Sequence, residues 1–233
     1  MPSIGVLGGM GPAATVDFLA KLVALTPARR DQDHLPVVVV NLPDVPDRSA
    51  AIVAGGADPL RQLRRGVELL EHAGCGVIAI TCNSAHHWHE ALAASTPVPI
   101  LHIADAAAAR LQRGQRVLLL GTRGTLASGF YQRRLEARGA LSLVPRADVE
   151  QDWVDDCIRQ VKAGDLAAAT ASLQRVLDAS AGADAVLMAC TELPLAAARA
   201  STVGLALVDA TLEFARATVA YGLERGWNRS AAR

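Results

Sequence analysis

Residues 77 to 92 read "VIAITCNSAHHWHEAL": an apolar run stops at Thr81-Cys82-Asn83-Ser84, and a helix-like stretch follows at once. Open α/β sheets keep their ligands in the crevice outside the carboxyl ends of the strands, so a cysteine at this point stands where such folds do chemistry. Residues 185 to 197, "AVLMACTELPLAA", repeat the arrangement. There an apolar run ends at Cys190, followed by Thr191, Glu192 and a second helix-like stretch.

Outward from these two stretches, short apolar runs alternate with amphipathic segments, the pattern of a mostly parallel sheet covered by helices. Strands are expected at 3–8, 36–42, 77–81, 99–101, 116–121, 141–144, 185–189 and 205–208. In "DPLRQLRRGVELLEHAG", Leu60, Leu63, Val67 and Leu70 fall at helical spacing with Gly74 as a stop, and "DATLEFARATVAYGLERG" reads as a closing helix. "IGVLGGMGPAAT" (4–15) resembles "VLLLGTRGTLAS" (117–128); Gly8 and Gly121 are offset by 113 residues, and Cys82 and Cys190 by 108. Two features in the same order at nearly the same offset imply two similar Rossmann-like α/β halves. Their sheets would be mostly parallel and related by a pseudo-twofold axis, with a cleft between them. The halves are expected at 1–98 plus 209–233 and at 99–208.

The 233 residues are 51% hydrophobic and carry 23 basic against 23 acidic side chains, which suits a soluble globular protein. Balanced charge removes the electrostatic case for nucleic acid or an anionic membrane, and no apolar stretch is long enough to span a bilayer. "MPSIGVLGGMGPAAT" lacks the leading positive charge of a secretory signal, so the expected compartment is the cytoplasm, where thiols stay reduced. Cysteines 75, 82, 157 and 190 form no C-x-x-C pair, which argues against a thiol redox enzyme.

Two free thiols facing across one cleft suit a difficult reaction. The α-carbon of an amino acid is a very weak acid, and inverting it takes a base on one face and an acid on the other. A thiolate opposite a thiol supplies that pair without a cofactor. A free cysteine has a pKa of about 8.5, so helix N-termini after each cysteine, or nearby donors, would have to activate it. Backbone N–H groups with Asn83, Ser84 and Thr191 could hold a carboxylate.

Five motifs in order resemble the aspartate/glutamate racemase superfamily, closest to its cofactor-independent aspartate racemase branch. They are "GVLGGMGPAAT" (5–15), "DVPDRSAAI" (44–52), "TCNSAH" (81–86), "GTRGTLASGFY" (121–131) and "ACTELPL" (189–195). The resemblance implies a racemase of aspartate, and possibly glutamate, with Cys82 and Cys190 as the acid/base pair. It implies a substrate α-carboxylate held around Asn83, Ser84, Thr125 and Thr191, with Met10 and Gly11 lining the pocket. Arg48 and Lys162 would meet the distal carboxylate of an acidic amino acid. It also implies a homodimer that needs no cofactor and no metal. Ser84 stands where the family usually has threonine, and Ala189 where it often has glycine. Glu192, in place of the histidine that glutamate racemases carry, points to the aspartate branch. A broad-specificity amino-acid racemase, a cysteine-dependent dicarboxylate cis–trans isomerase and a non-catalytic amino-acid-binding relative remain as alternatives.

Cys157 lies on the helical stripe Trp153, Val154, Cys157, Ile158 and Val161 and reads as packing, as does Cys75 at a strand entrance. Arg48 reads either as a loop cation or as a guanidinium presented by a loop stiffened by Pro43 and Pro46. Lys162 reads either as a helix C-terminal cation or as a substrate contact. His86, His87 and His89 do not point one way on a helix, which argues against a metal site and leaves His86 as a local hydrogen-bond partner or packing residue. Gly9-Met10-Gly11-Pro12-Ala13-Ala14 fits the G-x-G-x-x-A form of a dinucleotide loop. The acid that should follow the next strand is out of place, so these glycines read as a tight turn with Pro12 starting a helix.

Overall fold

A computed structural model describes residues 2–201 and 205–228. In chain order the elements are β1 (Ser3–Gly8), α1 (Pro12–Leu25), β2 (Val37–Asn41), α2 (Arg48–Ala54), α3 (Leu60–His72), β3 (Cys75–Ile80), α4 (His89–Ala93) and α5 (Ile103–Ala108). They continue as β4 (Arg116–Gly121), α6 (Arg123–Ser128), α7 (Phe130–Ala137), β5 (Leu141–Leu143), α8 (Glu150–Lys162) and α9 (Leu166–Ala179). The last four are β6 (Ala185–Ala189), α10 (Leu193–Ala197), β7 (Ala206–Asp209) and α11 (Ala210–Glu224).

The strands form two parallel sheets ordered β2-β1-β3 and β5-β4-β6-β7. The second repeats the first: β4 takes the place of β1, β5 of β2 and β6 of β3, which is the internal similarity expected from the Gly8/Gly121 and Cys82/Cys190 offsets. The strand expected at 99–101 is reduced to a bridge between Ile78 and Ile100. Pro97 and Pro99 flank Val98 there and can donate no ladder hydrogen bonds. The segment still accepts a bond from Ile78 N–H and returns one from Leu101 N–H, so it sits at the edge of β3 where β7 sits beside β6.

Strands buried on both faces read as unbroken apolar runs, as in β1 and β6, where every residue is buried. Edge strand β2 is equally apolar in sequence yet alternates exposed and half-buried positions. A central core cluster unites the halves: Ile4, Val6, Val77 and Ala79 of the first sheet pack in it with Val117, Leu119, Leu187 and Ala189 of the second. Phe18 of α1 and Phe214 of α11 meet in the same cluster with ring centroids 5.6 Å apart, each ring contributing about 1.5–3 kcal/mol by leaving water. The outer faces have their own cores. α3 covers the first sheet through Leu63, Val67 and Leu70, and α8 and α9 cover the second through Val154, Cys157, Leu173 and Val176. Cys157 and Cys75 lie in these outer cores as packing residues, with the Ser3 hydroxyl 3.5 Å from the Cys75 thiol.

After β1 the chain turns sharply at Gly9, whose φ of +95° and approach to the Leu42 backbone, where a Cβ would stand 2.4 Å away, require glycine. Pro12 then opens α1, as its ring geometry favours.

Candidate active site

The carboxyl ends of β3 and β6 face one narrow cleft, lined by Met10, Asp47, Arg48, Ser49, Cys82, Asn83, Ser84, Thr122, Lys162, Cys190, Thr191 and Glu192. Both thiols are free and each residue is 6% exposed. Thr81 N–H bonds to Leu7 O at 2.9 Å, which carries the β1–β3 pairing one residue past β3 and delivers Cys82 to the cleft floor. The chain then coils into a 3-10 turn at Ser84–Trp88. On the other side Cys190 follows Ala189, the last residue of β6, and Glu192 leads into α10.

The two thiols have different neighbours. Cys190 Sγ donates to Glu192 Oε2 at 3.0 Å, and the Thr191 hydroxyl donates to the same oxygen at 2.8 Å. Burial, followed by the Glu192 charge and hydrogen bond, pushes the Cys190 thiol well above its ordinary range. This corrects the expectation that a helix N-terminus would activate it. α10 has only five residues, and its first backbone N–H groups are outweighed by a carboxylate in contact with the sulfur. Lys162 Nζ lies 3.9 Å from Glu192 Oε1 with its side chain 58% exposed, so it is poised at the rim beside this carboxylate.

Hydroxyls cross the cleft floor. Ser84 Oγ and Thr122 Oγ1 are 3.3 Å apart, Thr122 and Thr125 Oγ1 are 3.0 Å apart, and Thr125 donates to Ser84 at 3.3 Å. Thr125 is therefore fully buried behind Ser84 and Thr122 and does not line the cleft, and Gly11 stands back from it as the N-cap of α1. The amide of Asn83 faces the second half: Tyr131 of α7 donates its hydroxyl to Asn83 Oδ1 at 2.6 Å, while Asn83 Nδ2 is buried without a partner.

Arg48 is held from below. Its Nη1 donates to Val45 O and Pro46 O at 3.0 Å each and its Nη2 to Met10 O at 3.1 Å, while Nε is buried and unpaired. The neighbouring Ser49 Oγ accepts from Gly124 N–H at 2.9 Å, which clasps α2 onto α6 of the other half. A Cβ on Gly124 would stand 2.6 Å from Ser49 Cα, so this approach excludes a side chain.

Thr122, Asp47, Ser49 and Tyr131 escaped the residue-level reading, although all four lie inside the quoted motifs 44–52 and 121–131. Their signal was position, one or three residues from residues already singled out or at the motif's end. His86 is buried, with Nε2 bonded to Ile80 O at 3.1 Å and its ring 4.7 Å from that of His102, a local packing role. Among the described residues no cluster of three metal-ligating side chains occurs.

A sequence-family profile described as Asp/Glu/Hydantoin racemase matches residues 7–218. The broad specificity amino-acid racemase RacX of Bacillus subtilis is 29% identical over 206 residues, 82% of this chain and 85% of that protein. The aspartate racemase of Picrophilus torridus superposes with a TM-score of 0.82 at 30% identity, over 98% of this chain and 100% of that one. A glutamate racemase from Francisella tularensis shares the fold alone, with a TM-score of 0.73 at 13% identity over 97% of this chain and 82% of that one. The profile spans most of the chain and takes in both cysteine-bearing strand ends, and on that extent of agreement this chain belongs to the Asp/Glu/hydantoin racemase family.

Proposed function

We propose that the protein is a cofactor-independent racemase that interconverts L- and D-aspartate by moving a proton on and off the α-carbon between Cys82 and Cys190. The observation that carries this reading is the placement of two buried free thiols at equivalent strand ends of opposite halves, lining one polar cleft. A thiolate on one side removes the α-proton, and the thiol on the other delivers a proton to the opposite face, after which the pair has exchanged protonation states. Neither step needs an electron sink beyond the substrate's own carboxylate, whose developing charge is met by fixed donors. Asn83 and Ser84 supply those donors together with the backbone N–H groups at Thr191, whose hydroxyl is given to Glu192, and Thr125 orients Ser84 from behind.

The Cys190 thiol is the resting acid in this scheme, because Glu192 accepts its proton in a hydrogen bond and disfavours its thiolate. Turnover in the opposite sense starts from Cys190 thiolate and Cys82 thiol, the state that one forward turn leaves behind, and the Glu192 charge raises the cost of that state. Lys162 and the free Nε of Arg48 complete the site for a distal carboxylate.

A broad-specificity racemase is the second reading. It is favoured by the three backbone carbonyls that already occupy Arg48, which leave fewer N–H groups for a second substrate carboxylate. The homodimer that the family resemblance implies and the cytoplasmic location expected from the sequence belong to this proposal.

The deciding experiment incubates reduced protein in heavy water with L-aspartate, L-glutamate and a neutral amino acid, without added cofactor or metal, and separates the enantiomers by chiral chromatography. D-aspartate carrying α-deuterium supports two-base racemisation, and the other lanes set the breadth. L-aspartate recovered without inversion or deuterium would overturn the reading.

A further inference from the structure

The Asn83 side chain is caught between two environments. On one side its Oδ1 accepts a 2.6 Å hydrogen bond from Tyr131, a residue with no exposure that belongs to the opposite half. On the other its Nδ2, with two N–H groups, is buried and unpartnered in a residue that lines the cleft. A buried amide donor without an acceptor costs about 1–3 kcal/mol, so the resting site carries a deficit that a ligand can remove. No other group of the floor removes it: the hydroxyls of Ser84, Thr122 and Thr125 bond to one another, and none of them is a partner of Nδ2.

An asparagine amide can turn over at little cost, exchanging donor for acceptor. Turned over, Asn83 would present a carbonyl oxygen to the cleft and repel a carboxylate. Burial keeps the Tyr131 hydroxyl protonated by pushing it well above its ordinary range, so it remains available as a donor.

We infer that Tyr131 is a positioning residue for substrate binding: its hydroxyl bond to Asn83 Oδ1 holds the amide so that Nδ2 faces the cleft, where a substrate carboxylate supplies the missing acceptor. The inference rests on the proposed racemase reading for the identity of the substrate. Tyr131 touches no reacting atom, and its effect passes through Asn83. Because the bond crosses from one half to the other, it also makes carboxylate binding depend on the two halves being closed on each other.

The test is Tyr131→Phe, which keeps the ring and removes only the donor, together with Asn83→Ala and the double variant. Racemisation kinetics are read beside calorimetric titration with L-aspartate, so that binding is measured even if turnover is absent. The expected result is a roughly tenfold rise in KM or Kd for Tyr131→Phe, equivalent to about 1.4 kcal/mol. Its kcat should change less, and its melting temperature should fall by roughly 2–4 °C, as expected for one lost buried hydrogen bond. In the Asn83→Ala background, adding Tyr131→Phe should change binding no further.

Unaltered binding in Tyr131→Phe would overturn the inference, as would an effect that adds in full to that of Asn83→Ala. Failure of wild-type protein to racemise, with aspartate still bound and still sensitive to Tyr131→Phe, would sink the function reading and leave this one standing. Should Tyr131→Phe not fold, side-chain 15N–1H spectra of wild-type protein decide. The Asn83 amide protons should shift and gain protection from exchange when aspartate is added, and amide signals that do not respond would refute the role.

Discussion

The thiol of Cys190 donates a 3.0 Å hydrogen bond to Glu192, a residue only two positions further along the chain. The carboxylate raises the cost of forming the Cys190 thiolate, and replacing it by an amide removes the charge while keeping the shape. Glu192→Gln is expected to speed alkylation of Cys190 by iodoacetamide at pH 8 about tenfold, the effect of one pKa unit, with Cys82 labelled at its wild-type rate. Peptide mass spectrometry of a labelling time course reads both sites. An unchanged rate at Cys190 would show that Glu192 does not hold its proton. The equilibrium constant of a racemisation is one, so kcat/KM must stay equal in the two directions, and any directional effect will appear in kcat and KM separately.

Cys82→Ala and Cys190→Ala should each lower inversion by about 10²–10⁴-fold in both directions, since either change removes one half of the proposed acid/base pair. Each variant keeps one base. Proton–deuterium exchange at the α-carbon without inversion is therefore expected for one enantiomer in Cys82→Ala and for the other in Cys190→Ala, measured by NMR in heavy water. Wild-type racemisation by either variant would refute the pairing.

Gly124→Ala should loosen the clasp between α2 and α6, because its Cβ would press on Ser49 Cα and Oγ. Overpacking of this kind costs about 1–3 kcal/mol. The neighbouring Arg48 moves with Ser49, so KM for aspartate should rise along with a lower melting temperature. Scanning calorimetry and initial-rate kinetics check both, and a variant with wild-type stability would mean that the approach is softer than the structure implies.

His86 and His102 set the acid limit. Burial lowers His86 from 6.5 to about 3 and also lowers His102; His89 and Arg134 add to the effect on both, and His86 adds to that on His102. The folded state leaves both neutral while the unfolded chain protonates them. The stability they permit is therefore present above about pH 6.5 and is lost as pH falls from there toward the folded values, at up to roughly 1.4 kcal/mol per pH unit for each ring. Denaturant melts between pH 7 and pH 5, above the range of ordinary carboxylates, should show this decline. Constant stability across that interval would contradict it.

The strand ends were legible because burial writes itself as apolar runs. The bounds expected for 3–8, 116–121 and 185–189 match β1, β4 and β6. At 99–101 the residues looked equally strand-like, but two prolines left too few donors for more than a bridge. The site was legible as far as chemistry is local. Cys82, Asn83, Ser84, Cys190 and Thr191 are neighbours in sequence and line one cleft in space. The pairing of Glu192 with Cys190 and of Tyr131 with Asn83 was not legible. Which way a side chain turns depends on tertiary neighbours, and Tyr131 and Asn83 are 48 residues apart. The engagement of Arg48 by two carbonyls of its own loop and by that of Met10 was equally invisible from residue type.

The repeated strand order of the two sheets bears on why a racemase of this design is one chain. Two identical subunits meeting about an axis would place identical surroundings around both thiols, and every substitution near one would appear near the other. Covalent joining breaks that coupling. Glu192 stands beside one sulfur and Asn83 follows the other, so each thiol has surroundings of its own that need not be repeated on the opposite wall.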